Sequence, residues 1–477
     1  MTRIDNAAMP YDMTVERGFA DISLRPGQLG CADFRSDYGL RYACLAGAMY
    51  KGIASQDLVV AMGKGGFLGF LGTGGMRLDE VESSIRFIQS SLAREHAYGM
   101  NLLANNSAQY EDAIVDLFLK YRVRHVEASS YMQLTPSLIR YRLKGIHVDA
   151  NGRVVAPNKV MAKLSRPEVA EQFASPPSEK IVSLLVHQGH ISLQEAELSR
   201  HIPVAQEICV EADSGGHTDQ GVAFAIFPAI RQLSQTLHQR HRYAQPFRVG
   251  CAGGIGTPEA AAAAFAMGAD FIVTGSINQC TVEASTSSEV KDLLQAINVQ
   301  DTAYAPAGDL FELGAKVQVL KKGVFFPARA NKLYELYSNH ESLDQIDAKT
   351  LRMLEEKYFR RTIDEVWAET EAFHEQYRPD ELKLIRASPK KKMSAIFRWY
   401  FVRTSRLALS GDPHCKVDYQ VHTGPALGAF NQWVKGTQLE DWRQRRVAEI
   451  GHHLMQGTAE LMSRNVNKLL RIAAAGY

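Results

Sequence analysis

The chain has 477 residues, of which 45% are hydrophobic and 22% charged, and a formal net charge of +2. This length exceeds one ordinary domain and suffices for a large barrel plus a second module, and the composition excludes a disordered chain. The small net charge gives no overall attraction to nucleic acid, and there is no basic-aromatic recognition motif, so no nucleic-acid partner is expected.

The six cysteines form no CxxC pair, which predicts reduced thiols without disulfides and without a metal site. Residues 1–13 lack the charged start and apolar stretch of a signal peptide. No apolar run reaches the roughly 20 residues that a membrane span needs. The sequence therefore predicts a soluble, cytoplasmic protein with no membrane partner.

Residues 1–40 show no sustained periodicity and are interpreted as an N-terminal extension or cap. From residue 41 onward, short apolar runs alternate with amphipathic stretches, which is typical of a parallel β/α fold. Eight strands are predicted, at residues 42–48, 67–71, 98–103, 125–128, 160–164, 205–211, 247–251 and 271–274. Residues 147–157 add a predicted hairpin, because an Asn-Gly pair stands between β-prone residues.

Eight strand–helix units in about 245 residues fit a (β/α)₈ TIM barrel. The alternative is an open doubly wound sheet, which usually carries its phosphate loop after the first strand. Here the first strand has no GxGxxG, and the glycine signals follow the last two strands. We therefore assign residues 41–290 to an α/β TIM barrel.

Residues 291–477 are interpreted as a mostly helical C-terminal region. Helical periodicity is predicted within 310–322, 343–356, 362–376 and 447–466. Inside the barrel, a long helix is predicted after Phe227-Pro228.

Two glycine-bearing loops end the last two predicted strands. The first contains Gly253 and Gly254, and the second contains Gly275 and Ser276. Glycine lets backbone N–H groups approach an anion, and a following helix N-terminus adds its dipole. Loops at this position form the usual phosphate site of a barrel, although two tight strand–helix turns are the alternative.

The loop at 210–219 follows the sixth predicted strand and should lie at the catalytic face. Gly215 and Gly216 would make room for a flat, close group, which makes them candidate cofactor-binding residues. His217 would then lie beside that group and could give or take a proton near neutral pH. The alternative is a loop histidine that only bonds to backbone.

Two polar side chains stand inside predicted strands, where each needs a partner. Asn101 offers both a donor and an acceptor, which suits a flavin ring or a phosphate. Lys163 is costly to bury without an anion and is a second candidate for cofactor binding. In a purely structural interpretation, Glu127 and Glu211 on other strands would be its partners.

Short motifs at residues 47–49, 63–75, 99–102, 211–218, 252–255 and 273–276 together resemble the flavin-dependent nitronate monooxygenase and enoyl reductase superfamily. Longer stretches, among them EASSYMQLTPSLIRYR, YAPAGDLFELGAKVQVLKKG and DYQVHTGPALGAFNQWVKG, resemble the PfaD-type trans-acting enoyl reductases of polyketide and polyunsaturated fatty acid synthases. This resemblance covers nearly the whole chain. The EAGGH motif of stand-alone enoyl reductases is lengthened here to EADSGGH.

The resemblance implies an enzyme that holds FMN and uses NADPH or NADH to reduce an enoyl thioester on an acyl carrier protein. The two glycine loops would hold the flavin phosphate, while Ala48, Met49 and Asn101 would line its ring. His217 matches the active-site histidine. The synthase's acyl carrier protein is the expected partner, and the sequence leaves a homodimer open.

A basic and aromatic run between residues 390 and 406 of the C-terminal region could dock an acidic carrier, with a solvated charge run as the alternative. Three other functions stay open. They are nitronate oxidation on the same barrel, a non-catalytic flavin-binding scaffold, and a phosphosugar-type barrel enzyme without flavin.

Overall fold

The computed structural model describes residues 21–104 and 108–475. Residues 1–20, which include the segment on which the signal-peptide expectation rests, lie outside the described residues. The described strands, in chain order, are β1 (Cys44–Ala46), β2 (Leu68–Leu71), β3 (Gly99–Leu103), β4 (His125–Ser129), β5 (His147–Val148), β6 (Val154–Val155), β7 (Lys159–Leu164), β8 (Glu207–Glu211), β9 (Gly216–Thr218), β10 (Arg248–Ala252), β11 (Ile272–Thr274), β12 (Thr302–Pro306) and β13 (Lys316–Leu320).

Eight of these strands close into a parallel barrel in the order β1-β2-β3-β4-β7-β8-β10-β11, with β11 returning to β1. They coincide with the eight predicted strands, so the TIM barrel is confirmed. The predicted hairpin is confirmed as well, because β5 and β6 pair antiparallel. In a parallel barrel all strands end at one mouth, which brings the loops after them together.

The α-helices surround the barrel and build the C-terminal region. They are α1 (Ala32–Tyr38), α2 (Gln56–Lys64), α3 (Leu78–Ser91), α4 (Ala108–Lys120), α5 (Pro136–Leu143), α6 (Pro167–Phe173), α7 (Glu179–His187), α8 (Leu193–Leu198), α9 (Ala223–His241), α10 (Pro258–Ala266), α11 (Ser276–Gln279), α12 (Ser288–Leu294), α13 (Phe326–Asn339), α14 (Ala348–Met353), α15 (Ile363–Tyr377), α16 (Pro379–Arg386), α17 (Pro389–Ser410), α18 (Pro425–Trp433) and α19 (Val447–Ala475). A π-helical turn, Leu354–Phe359, extends α14.

Helix α1 closes the end of the barrel opposite the mouth, within the segment interpreted as an extension or cap. Its Phe34 is fully buried and stacks on Phe271 with ring centroids 4.5 Å apart. A side chain at Gly250 would collide with the Phe271 ring, because its Cβ would lie 2.2 Å from a ring carbon. Small and large residues therefore alternate on neighbouring strands and fill the barrel interior.

The prediction of a helix within residues 310–322 is wrong. Only Phe311–Leu313 forms a short 3₁₀ turn, and the rest of that segment contributes strand β13. Strand β13 is the centre of a three-stranded antiparallel sheet, with β12 on one side and β9 on the other. Pairing on both edges and the burial of Val317 and Val319 outweigh the local helical pattern.

Helix α9 begins earlier than predicted, at Ala223, and contains Pro228. A proline this close to the helix start removes a single backbone hydrogen bond, so the first turns persist. A second apolar core, separate from that of the barrel, forms between residues 305 and 401. The long helix α19 packs back on the barrel's core, and a domain boundary near residue 290 stays a prediction. Across residues 21–104 and 108–475, none of the helices combines the length and apolarity needed to cross a bilayer.

We expect Phe34→Ala to lower the free energy of unfolding by about 3–5 kcal/mol, because it leaves a cavity in the barrel floor that neighbouring strands cannot fill. Urea unfolding followed by circular dichroism measures this loss. The control is Phe87→Ala, at a side chain 38% exposed on α3, which should shift the unfolding midpoint far less. Equal midpoints for the two variants would contradict the role of α1 as the floor.

Candidate active site

An ion triad lies inside the barrel near its mouth, with Glu127 buried and its two partners partly exposed. Lys163 on β7 places its Nζ 3.1 Å from Glu127 Oε1 and 3.6 Å from Glu211 Oε1. Burial by itself lowers the pKa of Lys163, but the two carboxylates outweigh it and raise that pKa. Lys163 is therefore a cation at neutral pH, and it is held by Glu127 and Glu211, the two partners predicted from the sequence.

Asn101 and Ala48 meet the same glutamate. The Asn101 amide donates to the Glu127 backbone oxygen at 3.0 Å and to Ser129 Oγ at 2.9 Å. The Ala48 backbone N–H donates to Glu127 Oε2 at 3.3 Å. Thus three of the predicted cofactor-binding residues, from the loop after β1 and from β3 and β7, converge on one buried glutamate. The sequence presented Glu127 only as a partner for Lys163, and the structure makes it the centre of the network.

Met49 follows Ala48 in the loop after β1, and both side chains are half-buried. The loop after β2 packs directly against the backbone of Met49, since a Cβ at Gly72 would lie 1.6 Å from the Met49 carbonyl oxygen. This contact excludes any side chain at position 72 and fixes the path of residues 48 and 49.

The two predicted phosphate loops are neighbours, because β10 and β11 pair in parallel. Gly253 has a φ of +86°, and a Cβ there would lie 2.6 Å from the Ala212 carbonyl oxygen, so only glycine fits. Gly254 and Gly275 differ from it, because a Cβ at either position would meet no atom within 4 Å. Ser276 Oγ accepts a hydrogen bond from the Gly424 N–H at 3.0 Å. Two glycines facing open space beside a helix start are a cradle that a phosphate fits.

Gly215 and Gly216 precede His217 and were expected to make room for a flat cofactor. Instead, protein backbone lies beside Gly215. A Cβ at Gly215 would lie 2.7 Å from the backbone of Thr423, so the space beside this glycine is occupied by protein chain. Gly216 has a φ of +91°, which glycine adopts without strain. Both residues stay predicted cofactor-binding residues, and their observed contacts are with the loop before α18.

His217 lies on β9, where it pairs with Val317 of β13. Its Nε2 is 2.8 Å from Asp309 Oδ1, in the segment between β12 and β13. Burial lowers the pKa of His217, but the hydrogen bond and charge of Asp309 outweigh this and raise it. In turn, His217 lowers the pKa of Asp309 against the effect of burial. The pair therefore favours an imidazolium next to a carboxylate.

A second histidine, His422, comes from the segment before α18. Gln420 Nε2 donates to His422 Nε2 at 2.9 Å. Burial, aided by the charge of His217, lowers the pKa of His422 to about 4, so its imidazole is neutral at neutral pH. Asp309 and His422 lie 92 and 205 residues after His217, too far for any spacing rule to link them. The only sequence signal was that both fall within long stretches quoted for the family resemblance.

The basic and aromatic run at residues 390–406 is not the free docking surface considered above. Phe397 and Tyr400 are fully buried in the second core, so the interpretation is wrong for these two aromatic residues, whereas Trp399 is half-buried. Lys390 donates to the backbone oxygens of Tyr337 and His340. Lys390 thus fastens the start of helix α17 to α13, whereas Lys391 and Arg406 are exposed.

We expect Lys163→Met to cost about 3–5 kcal/mol in the free energy of unfolding, because it leaves the carboxylate of Glu127 buried without a cation. Urea unfolding midpoints test this. The control is Lys120→Met, whose exposed pair with Glu82 should be worth less than about 1 kcal/mol. A Lys163→Met protein that unfolds at the wild-type midpoint would show that the triad is not an essential charge pairing.

Comparison with known families gives two matches within the chain. The nitronate monooxygenase family model matches residues 38–308, which contain the whole barrel, His217 and Gly254. The model described as "acyl-carrier-protein S-malonyltransferase, inserted helical domain" matches residues 340–419, which contain α14 to α17.

Similar proteins come from synthase systems. The chain is 56% identical over 442 residues to the polyketide biosynthesis protein PksE of Bacillus subtilis, covering 92% of this chain and 57% of that protein. It is 43% identical to one component of the polyunsaturated fatty acid synthase of a Thraustochytrium species, over 87% of this chain and 28% of that protein. The chain thus spans only part of these longer relatives.

Among solved structures, the enoyl reductase domain of MlnA, from the macrolactin biosynthesis cluster of Bacillus amyloliquefaciens, superimposes with a TM-score of 0.89 at 46% identity. The match covers 93% of this chain and 99% of that domain. The chain therefore belongs to the nitronate monooxygenase family, in the group of the PfaD-type enoyl reductases.

Proposed function

We propose that this chain is an FMN-dependent enoyl reductase that uses NADPH or NADH to reduce the α,β-double bond of an enoyl thioester on an acyl carrier protein. The observation that carries the proposal is that one barrel mouth holds both the open glycine cradle and the His217–Asp309 pair. A phosphate-anchored cofactor and a proton donor are the two components that such a reduction requires.

The residues present fit FMN. Gly254 and Gly275 would hold its phosphate, with Ser276 and the N-terminus of α10 beside them. Ala48, Met49 and Asn101 would lie along the ring, with Lys163 as a fixed cation below them. When bound, FMN supplies the hydride chemistry that links NAD(P)H to the Cβ of the thioester.

The chain's own part in the reaction would be proton delivery. Reduction at Cβ leaves negative charge on the thioester, which needs a hydrogen-bond donor at oxygen or a proton at Cα. His217 carries a raised pKa and is half-exposed at the mouth, which suits it to that task. Asp309 and the neutral His422 flank it from the C-terminal region.

An acyl carrier protein as partner is supported by the kind of relatives. The name of PksE refers to polyketide biosynthesis, and the Thraustochytrium protein is named as part of a polyunsaturated fatty acid synthase. The family model over residues 340–419 is named after a transferase that acts on an acyl carrier protein. We propose that this helical part of the chain faces the carrier, through a surface other than the buried residues of α17.

Nitronate oxidation is the second candidate, because the family model over the barrel carries that name. The two activities differ in their reductant. An enoyl reductase is reduced by a pyridine nucleotide without oxygen, whereas an enzyme that oxidises nitronates takes its electrons from the nitronate.

The purified protein should be yellow, lose its visible absorbance with NADPH under anaerobic conditions, and regain it when an enoyl thioester is added. Stopped-flow absorbance follows both half-reactions. Ethyl nitronate in place of NADPH is the control for the second candidate. Bleaching by the nitronate but by neither NADPH nor NADH would overturn the reductase proposal, and a colourless protein would overturn the flavin.

Gly275→Ala should weaken FMN binding at least tenfold while leaving the fold intact. Its φ of −134° lies outside the left-handed region, and no atom lies within 4 Å of the added methyl, which would instead fill the proposed phosphate cradle. Fluorescence titration with FMN measures the affinity, and circular dichroism of the apoprotein reports folding. For contrast, Gly254→Ala, at a φ of +74°, should lose affinity and also stability. Unchanged affinity in Gly275→Ala would place the phosphate elsewhere.

A further inference from the structure

We propose that Asp309, supplied by the C-terminal region, is the positioning residue of His217. Its carboxylate takes the Nε2 side of the imidazole at 2.8 Å and leaves Nδ1 to meet the substrate. The inference rests on the proposed function, in which His217 delivers the proton. It assigns a role to a residue outside the barrel, so the barrel alone would hold an incomplete site.

Backbone contacts fix the positions of both His217 and Asp309. His217 is fixed by the pairing of β9 with β13, and β13 pairs on its other edge with β12. The loop from β12 to β13 is fastened next to Asp309, because the Gly308 carbonyl accepts from Arg398 Nε of α17 at 3.0 Å. A Cβ at Gly308 would lie 2.6 Å from Phe401 Cβ, so this residue packs directly on the same helix. A carboxylate anchored in this way can orient a ring.

The charged groups around His217 favour the imidazolium. Asp309 acts through its hydrogen bond and its charge, and Glu211 adds attraction from the barrel side. His422 faces the pair from the segment before α18, but it is neutral at neutral pH and does not repel the cation there. Tyr50 lies within electrostatic reach of Asp309, and its own pKa is raised by burial and by that carboxylate, so it stays a neutral phenol.

The proton balance assigns one role to each group. The thioester gains a hydride at Cβ that originates from NAD(P)H, and the electron pair of the double bond moves toward the carbonyl. These electrons then form a new C–H bond at Cα, as the Nδ1–H bond of His217 breaks and its proton is transferred. The neutral imidazole regains a proton from water, while Asp309 stays ionised throughout and stabilises the cation that re-forms.

The first test needs no cofactor turnover. In ¹⁵N-histidine NMR titrations, with His217→Gln used to assign the signal, Asp309→Asn should lower the pKa of His217, because it removes the carboxylate that stabilises the imidazolium. The matched control is Glu312→Gln, three residues along the chain, whose carboxylate accepts from Ser394 and does not touch His217. A His217 titration unchanged in Asp309→Asn would overturn the proposal.

The second test separates this inference from the proposed function. The raised pKa of His217 keeps its imidazole protonated to higher pH. In Asp309→Asn, the alkaline limb of the pH profile of kcat should therefore move to lower pH. We expect kcat to fall about 10- to 100-fold with a smaller change in KM, and Asp309→Glu to restore part of it. Full activity in His217→Ala would refute the catalytic assignment of the proposed function. Loss in His217→Ala with an unshifted limb in Asp309→Asn would refute the positioning role alone.

Discussion

The pairing of β9 with β13 is the interaction on which the candidate site depends. Three residue pairs join the loop after barrel strand β8 to a strand almost a hundred residues further along the chain. The pairing turns the glycine-rich loop into an extended strand and gives His217 a defined direction. Without it, no backbone pairing would hold His217 in a fixed relation to the segment that carries Asp309.

The same region is tied down by contacts to the segment before α18. The backbone of Thr423 fills the space beside Gly215, and the Gly424 N–H reaches Ser276 of the second phosphate loop. Hence one segment of the C-terminal region touches both the histidine loop and the phosphate cradle. In the proposed function, cofactor binding and the placement of the proton donor would therefore be linked, because residues 423–424 contact both loops.

The barrel interior also carries an energetic cost. Burying Lys163 with Glu127 and Glu211 is expensive, and apolar residues of similar volume would fill this space at lower cost. The network instead fixes Asn101 and the Ala48 N–H around one glutamate, next to the mouth. A rigid polar surface of this kind orients a ring-shaped ligand better than an apolar surface does, because each of its hydrogen-bond donors has a single direction.

The sequence by itself determined the barrel, since the periodicity of apolar residues is a local property and each strand–helix unit repeats it. It also located the two glycine loops, because the ends of the last two strands must meet at one mouth. It could not link His217 to Asp309 or His422, and it assigned a helix where β13 forms. Only the tertiary structure decided these points, because a central antiparallel strand is stabilised by partners distant in the chain, and the alternation of Val317 and Val319 does not identify those partners.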